Sequence, residues 1–328
     1  MAVPLSCKRL SGGERNDIFK LDFHEGSPLV LRIIHHKTEL SGVLYTNTWS
    51  AFAASRIKEA ISPRLTKTGD SIFIHNGMIC EILPFVEGVN SDRELSIHRD
   101  EIAKIQARLH NIGLQFPDQR PRPDRPRLLE FDFENNYIYN WEAVDKMLSS
   151  GGKALFSDPR HQSETEQEKI AGIYERREAL YKGKEEFIKL TESLKKRRDL
   201  LYAPIHGDLY GPNVLMKDDR IAGILDWDEC GNEMLVYELG RVLWEYCKNP
   251  ERDGFDRDRS AQYLAAYKAE GGPVPEDEWD LMVPLLRYLK YIEVMLYVHN
   301  SIIGDVWDPA YGLENIKALI ALGGAGYT

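Results

Sequence analysis

The chain has little cysteine, no uninterrupted long apolar run and too few basic residues to balance its acids. Only four cysteines occur in 328 residues: Cys7, Cys80, Cys230 and Cys247. No two form a C-x-x-C pair, and no histidine stands at zinc-finger spacing from them, so a disulfide framework or a structural zinc module is disfavoured. The most apolar late stretch, LMVPLLRYLKYIEVMLYV at 281–298, is interrupted by Pro284, Arg287, Lys290 and Glu293. That pattern fits a core helix and not a membrane span. The opening MAVPLSCKRL lacks the apolar segment of a secretory signal, so a cytoplasmic location is expected. Lys and Arg number 42 against 52 Asp and Glu, a formal charge of -10. A general nucleic-acid binder needs a basic face, and this balance argues against one.

What is present is enough apolar material for a large core, 43% of residues. The length is more than one core usually organises, so two lobes are expected. Residues 8–34 read as strands, with SPLVLRII at 27–34 bounded by Gly26 and Pro28. Residues 44–61 have helical spacing. SIFIHNGMICEILPFVEG at 71–88 reads as a hairpin about Asn76-Gly77. After Gly88 the pattern turns helical, beginning with DEIAKIQARLHNIG at 100–113. QRPRPDRPR at 119–127 is Pro-rich and charged. Its four arginines allow anion binding, but a solvated linker is the reading preferred here. Residues 162–199 read as one or two exposed charged helices, and 233–248, 257–270 and 277–302 as further helices. The fold class is α+β, with a β-rich N-terminal lobe and a mainly helical C-terminal lobe.

The chemistry concentrates in IHGDLYGPNVLMKDDRIAGILDWDE, 205–229. NVLM and IAGIL are short apolar runs joined by KDDR, a β-hairpin pattern with a four-residue connection. A hairpin returns to its start, so Asn213 before the first strand and Asp226 after the second belong at one end. Asp208, five residues before Asn213, lies on the loop that feeds the same end. Amide and carboxylate oxygens are hard ligands that suit Mg²⁺, which takes the rest of its shell from water and phosphate. A further carboxylate nearby can accept a proton from an attacking hydroxyl. A base, an Asn and a second Asp form the set that kinase-type phosphoryl transfer uses. Each alone is weak evidence, since Asp before a strand often caps a turn.

HGDLYGPN followed by ILDWD resembles the catalytic and metal motifs of the aminoglycoside phosphotransferase / choline kinase superfamily, which includes kinases of the homoserine type. The resemblance implies a protein-kinase-like two-lobed fold and dependence on ATP and Mg²⁺. It implies Asp208 as catalytic base, His206 as support of the catalytic loop, and Asn213 and Asp226 as metal ligands. LSGGERNDIFKL at 10–21 is similar to the family's nucleotide loop, which places Gly12, Gly13 and Asn16 at the nucleotide. VLRII at 30–34 resembles the strand of the phosphate-anchoring cation, here Arg32. Counting back from Gly88 puts the Pro84 carbonyl and the Val86 N–H against adenine. Proline keeps its carbonyl but has no N–H, so it suits the first role and not the second. YELGRVLW at 237–244 and IQARLHN at 105–111 resemble two further family helices, with Glu238 where Asp is commoner. One departure is that GVLYTNTWSAFAA, 42–54, has no acidic residue to pair with the cation; Glu39 and Glu59 stand on either side.

The expected domains are therefore a nucleotide-binding lobe over 1–88, with a hinge near 84–88, and a helical lobe over 89–328. The acceptor is a hydroxyl on a small molecule, of aminoglycoside, amino-alcohol, homoserine or sugar type. Acidic and aromatic candidates for holding it are Glu229, Glu233, Asp305 and Trp307. Asp228 has three readings, a second metal ligand, a substrate contact or a structural acceptor, and the structural one is preferred. Tyr210 and Trp227 are taken as packing residues, and His35 and His36 as a solvated strand end. The alternatives are a Ser/Thr protein kinase of the same fold, or a metal-dependent hydrolase using His206, Asp208, Asp226 and Asp228.

Overall fold

The computed structural model describes residues 3–10, 16–34, 39–252, 254–305 and 307–323. Gly12, Gly13, His35 and His36 lie outside the described residues. The N-terminal part is a five-stranded antiparallel sheet in the order β1-β2-β3-β5-β4. Its strands are β1 (Ser6–Arg9), β2 (Asn16–Asp22), β3 (Leu29–Ile34), β4 (Phe73–His75) and β5 (Met78–Pro84). The helix α1 (Leu40–Ala54) is inserted between β3 and β4. Asn76 and Gly77 take φ of 50° and 77°, the left-handed pair that a two-residue hairpin turn requires. In register, Arg32 on β3 faces Glu81 on β5. That pairing brings two charged residues together between apolar neighbours.

A two-residue strand β6 (Val89–Asn90) follows, and then α2 (Ser96–Leu114). The helices α3 (Trp141–Ser149), α4 (Lys153–Phe156), α5 (Glu164–Glu175) and α6 (Glu178–Leu194) come next. The expected exposed helices of 162–199 are α5 and α6, each with a buried stripe that includes Ile170 and Ile173 or Leu180 and Phe187. The central segment supplies β7 (Tyr202–Ile205), β8 (Val214–Lys217), β9 (Arg220–Ile224) and β10 (Gly231–Met234). β8 and β9 form the expected hairpin, with β6 as a third strand on β8. The connection is tighter than the expected four residues. Only Asp218 and Asp219 lie between the strands, at φ 51° and 57°. Aspartate tolerates this region better than most side chains. The last helices are α7 (Leu235–Cys247), α8 (Arg257–Ala269), α9 (Met282–Ile303) and α10 (Pro309–Ala321), the last lying beyond the expected set.

The chain divides into two compact units. The first comprises Met1–Pro126, Tyr202–Glu238 and Ala261–Pro273, and it holds the described candidates for catalysis, metal and nucleotide. Its core includes Trp49, Ile102, Leu109, Val214 and Ile224. α2 packs on β7 so closely that a Cβ on Gly113 would lie 2.6 Å from the Pro204 carbonyl oxygen. The second unit comprises Arg127–Leu201, Leu239–Ser260 and Val274–Thr328, and includes Asp305 and Trp307. Its core is aromatic. Tyr288 stacks on both Phe133 and Phe187, at centroid distances of 5.4 and 5.1 Å. Among the described residues no helix is long and apolar enough to cross a membrane. All four cysteines are free, and all but Cys7 are buried.

Candidate active site

β7 ends at Ile205, and the chain turns at once through His206, Gly207 and Asp208. Gly207 has φ +80°, and a Cβ there would lie 2.1 Å from the Glu229 carbonyl oxygen. Only glycine accommodates both demands. The Gly207 N–H donates to Glu238 Oε1 at 2.6 Å. The other Glu238 oxygen pairs with His110 Nε2 at 2.9 Å, and His110 Nδ1 lies 2.7 Å from the Tyr267 hydroxyl. His110 and Glu238 are fully buried. The Glu238 carboxyl is held below its usual range: burial pushes it up, but His110 and the Gly207 N–H outweigh that.

His206 is buried and uses both ring nitrogens. The Asp208 N–H donates to Nδ1 at 3.2 Å, so Nε2 carries the proton and donates to the Leu225 carbonyl at 2.9 Å. The histidine thereby ties the loop of Asp208 to the residue before Asp226. With both nitrogens used it has none left for a metal, which counts against the hydrolase alternative. Asn213 donates both amide hydrogens to Asp208, to its carbonyl and to Oδ2, each at 2.9 Å. That leaves the Asn213 amide oxygen as the atom able to face a cation. The Leu225 N–H donates to the Asn213 carbonyl at 2.8 Å, which fixes Asp226 beside Asn213 at the open end of the hairpin.

Asp226 has φ +54° and an exposed side chain. Its carboxyl is raised above the usual range by desolvation at this crowded end of the hairpin and then by the charge of Asp228, against the pull of Arg32. Asn213 and Asp226 therefore offer one neutral and one charged oxygen ligand, a donor set that fits Mg²⁺ completed by phosphate and water. No cluster of three or more His, Cys, Asp or Glu arranged for a metal exists among the described residues.

Arg32 reaches this end from β3. It donates to Asp228, lies 3.9 Å from Asp226, and pairs with Glu81 at 3.4 Å. Burial lowers its pKa, but Asp228, Glu81 and Asp226 together hold it well above the ordinary value. Asn16 Nδ2 donates to the same Asp228 oxygen at 3.3 Å. Asp228 thus accepts from two of the described residues expected at the nucleotide, Asn16 and Arg32. Pro84 ends β5 opposite Leu29, and Val86 follows with its side chain near Gly223 on β9. Trp227 is buried against His206 and Trp49.

Three contributors escaped the sequence reading. Glu81 supplies the acid that α1 lacks, and Asn47 on α1 donates to it at 2.8 Å. Glu238 and His110 were noted only as parts of helices. The third is the segment 119–127, where the solvated-linker expectation is corrected. Arg122 is only 5% exposed and donates to the Asp228 and Cys230 carbonyls, while Arg125 pairs with Glu229 at 2.6 Å. Glu233 is buried on β10 and does not present an open carboxylate.

Residues 6–280 match the phosphotransferase enzyme family. The chain belongs to that family. It is an enzyme of the kinase type. Curated relatives include the homoserine kinase of Rhodopseudomonas palustris strain HaA2, 25% identical over 285 residues, which are 86% of this chain and 75% of the relative. The homoserine kinase of Methylobacterium nodulans is 24% identical over 89% of this chain and 79% of its own length. Among solved structures, an amicoumacin kinase in complex with AMP-PNP and Ca²⁺ aligns over 98% of this chain and 89% of its own, with TM-score 0.67 and 14% identity. A spectinomycin phosphotransferase in complex with ADP aligns over 97% and 89%, with TM-score 0.62 and 15% identity. At those identities the likeness concerns the fold, which is the protein-kinase-like α+β architecture.

Proposed function

We propose that this phosphotransferase moves the γ-phosphoryl group of ATP to the hydroxyl of a small molecule in the presence of Mg²⁺, and that homoserine is the acceptor to test first. The observation that carries the reading is the Asp208–Asn213 pair held at one end of the hairpin with Asp226. The homoserine kinase relatives motivate the choice of acceptor.

Asp208 orients the acceptor hydroxyl and takes its proton as the oxygen attacks phosphorus in line. Asn213 and Asp226 hold the metal, which when bound neutralises phosphate charge. Arg32 leaves Asp228 for the α- and β-phosphates, with Glu81 behind it. Gly12, Gly13 and Asn16, the last at the start of β2, are assigned to the nucleotide by their likeness to the family's motif, and Pro84 and Val86 offer a carbonyl and an N–H to adenine. On this reading residues 1–88 are the nucleotide-binding lobe and 89–328 the acceptor-binding remainder. Glu229 is a candidate acceptor contact, although Arg125 already pairs with it. Positioning and charge neutralisation supply most of the acceleration.

The test is ADP release with Mg²⁺-ATP across homoserine, amino alcohols, sugars, aminoglycosides and a generic protein substrate, with Asp208→Asn as control. One small-molecule hit lost in the variant supports the proposal. Phosphorylation of the protein substrate alone moves the reading to a protein kinase. A folded chain that neither binds nucleotide nor transfers phosphate refutes it.

A further inference from the structure

We infer that Arg122 is a positioning residue for the Asp226 loop, and that it references this loop to helix α1. The inference rests on the reading of Asp226 as a metal ligand.

Asp226 opens an irregular turn in the left-handed region, and such a conformation persists only where its surroundings impose it. His206 holds the Leu225 carbonyl before it. Arg122 holds the Asp228 and Cys230 carbonyls after it, the second at 3.1 Å. A buried guanidinium also needs a counter-charge. Asp124 supplies one in a two-bond fork, to Nε at 2.6 Å and Nη2 at 3.1 Å. A lysine could not make both the fork and the paired carbonyl bonds. Nearby Arg125 fixes the same turn through Glu229. The solvent-facing Arg120, by contrast, pairs only with Asp118 among the described residues.

Asp124 in turn lies against α1. A Cβ on Gly42, in the first turn of that helix, would lie 2.1 Å from Asp124 Oδ2. The same helix carries Asn47, which donates to Glu81 at 2.8 Å, and Glu81 pairs with Arg32. α1 is therefore the common reference for the phosphate-binding cation and, through Gly42, Asp124 and Arg122, for the metal loop. An acidic residue on α1 is not needed for that coupling.

The experiment measures Mn²⁺ binding to the full-length protein with ADP, alongside ADP affinity without metal and thermal stability, for Arg122→Lys, Gly42→Ala and Arg120→Gln. Arg122→Lys and Gly42→Ala should weaken Mn²⁺ binding by about tenfold, the scale seen when a group supporting a metal ligand is lost, and leave metal-free ADP affinity within about threefold. Arg120→Gln should change neither. Alanine favours a helix over glycine, so Gly42→Ala gives a decisive answer even if the Arg122 variant does not fold. Unchanged Mn²⁺ affinity in folded Gly42→Ala, or parallel loss of metal and metal-free ADP binding, overturns the inference. If the wild-type chain binds no Mn²⁺ with ADP, the metal-ligand reading of Asp226 fails and this inference falls with it.

Discussion

Arg32 and Glu81 are register partners on neighbouring antiparallel strands, and their side chains pair at 3.4 Å inside the first unit. The acid expected from a helix comes instead from the adjacent strand. α1 contributes a neutral residue, Asn47, which donates to the other Glu81 oxygen. Burial pushes the Glu81 carboxyl above its usual range, while Arg32 and Asn47 pull it back. Arg32 stays charged because three acids surround it. The cation is thus anchored from behind by Glu81, and on the proposed function its other contacts, to Asp228 and Asp226, are the ones exchanged for phosphate.

That division of labour predicts the effect of Glu81→Ala. Loss of a charged hydrogen bond at Arg32 corresponds to roughly 1.5–3 kcal/mol. Arg32 should then move wholly onto Asp228 and Asp226, so the KM for ATP should rise by about tenfold or more while acceptor KM changes little. Steady-state kinetics with each substrate varied checks this. An unchanged ATP KM in a folded variant would mean Glu81 does not anchor the cation.

Asp208→Asn keeps the shape of the loop, because Asn213 retains the residue-208 carbonyl as one of its two acceptors. The variant should lose about 10²- to 10⁴-fold in kcat, the range for general-base removal, while nucleotide affinity persists. Asp226→Ala should abolish turnover and also metal-dependent nucleotide binding. Calorimetry with and without Mg²⁺ separates the two. Substantial turnover in either variant would remove the corresponding assignment.

How much of this was readable beforehand depended on distance along the chain. Asp208, Asn213 and Asp226 were legible because a hairpin is local: apolar runs and a polar turn place its two ends together. Asn76-Gly77 was legible for the same reason. Arg122 was not, because nothing in a Pro- and Arg-rich stretch says that one arginine of four will be enclosed by carbonyls 106 and 108 residues away. The His110–Glu238 pair spans 128 residues, and each partner reads locally as an ordinary helix position. The departure at α1 was visible, but its resolution required the register of β3 on β5.

Glu238 provides a test on the acid side. Its folded pKa lies below the ordinary value near 4.5, so the folded state favours the charged form. Its contribution is full above about pH 4.5 and declines as pH falls through the lower folded value. Glu238→Gln should therefore be less stable than wild type at neutral pH, with the gap narrowing in acid. Urea denaturation at pH 7 and below pH 4 measures both gaps. A gap that stays constant with pH would show that the carboxylate charge is not what His110 and Gly207 recognise.

Glu278 should behave in the opposite sense. It is 2% exposed, and burial raises its carboxyl to about 7, with Arg197 pulling down and Asp199 and Asp277 adding to the rise. The folded state here favours the neutral form. That preference stabilises the protein fully below about pH 4.5, the unfolded value, and is lost as pH rises through about 7. A buried carboxylate that must ionise for lack of protons is a burden on the second unit in alkaline solution. Glu278→Gln, which cannot ionise, should match wild type in Tm at pH 4 and exceed it at pH 8. Paired thermal melts at the two pH values decide the matter. An equal difference at both would assign the effect to shape or hydrogen bonding and not to the ionisation of Glu278.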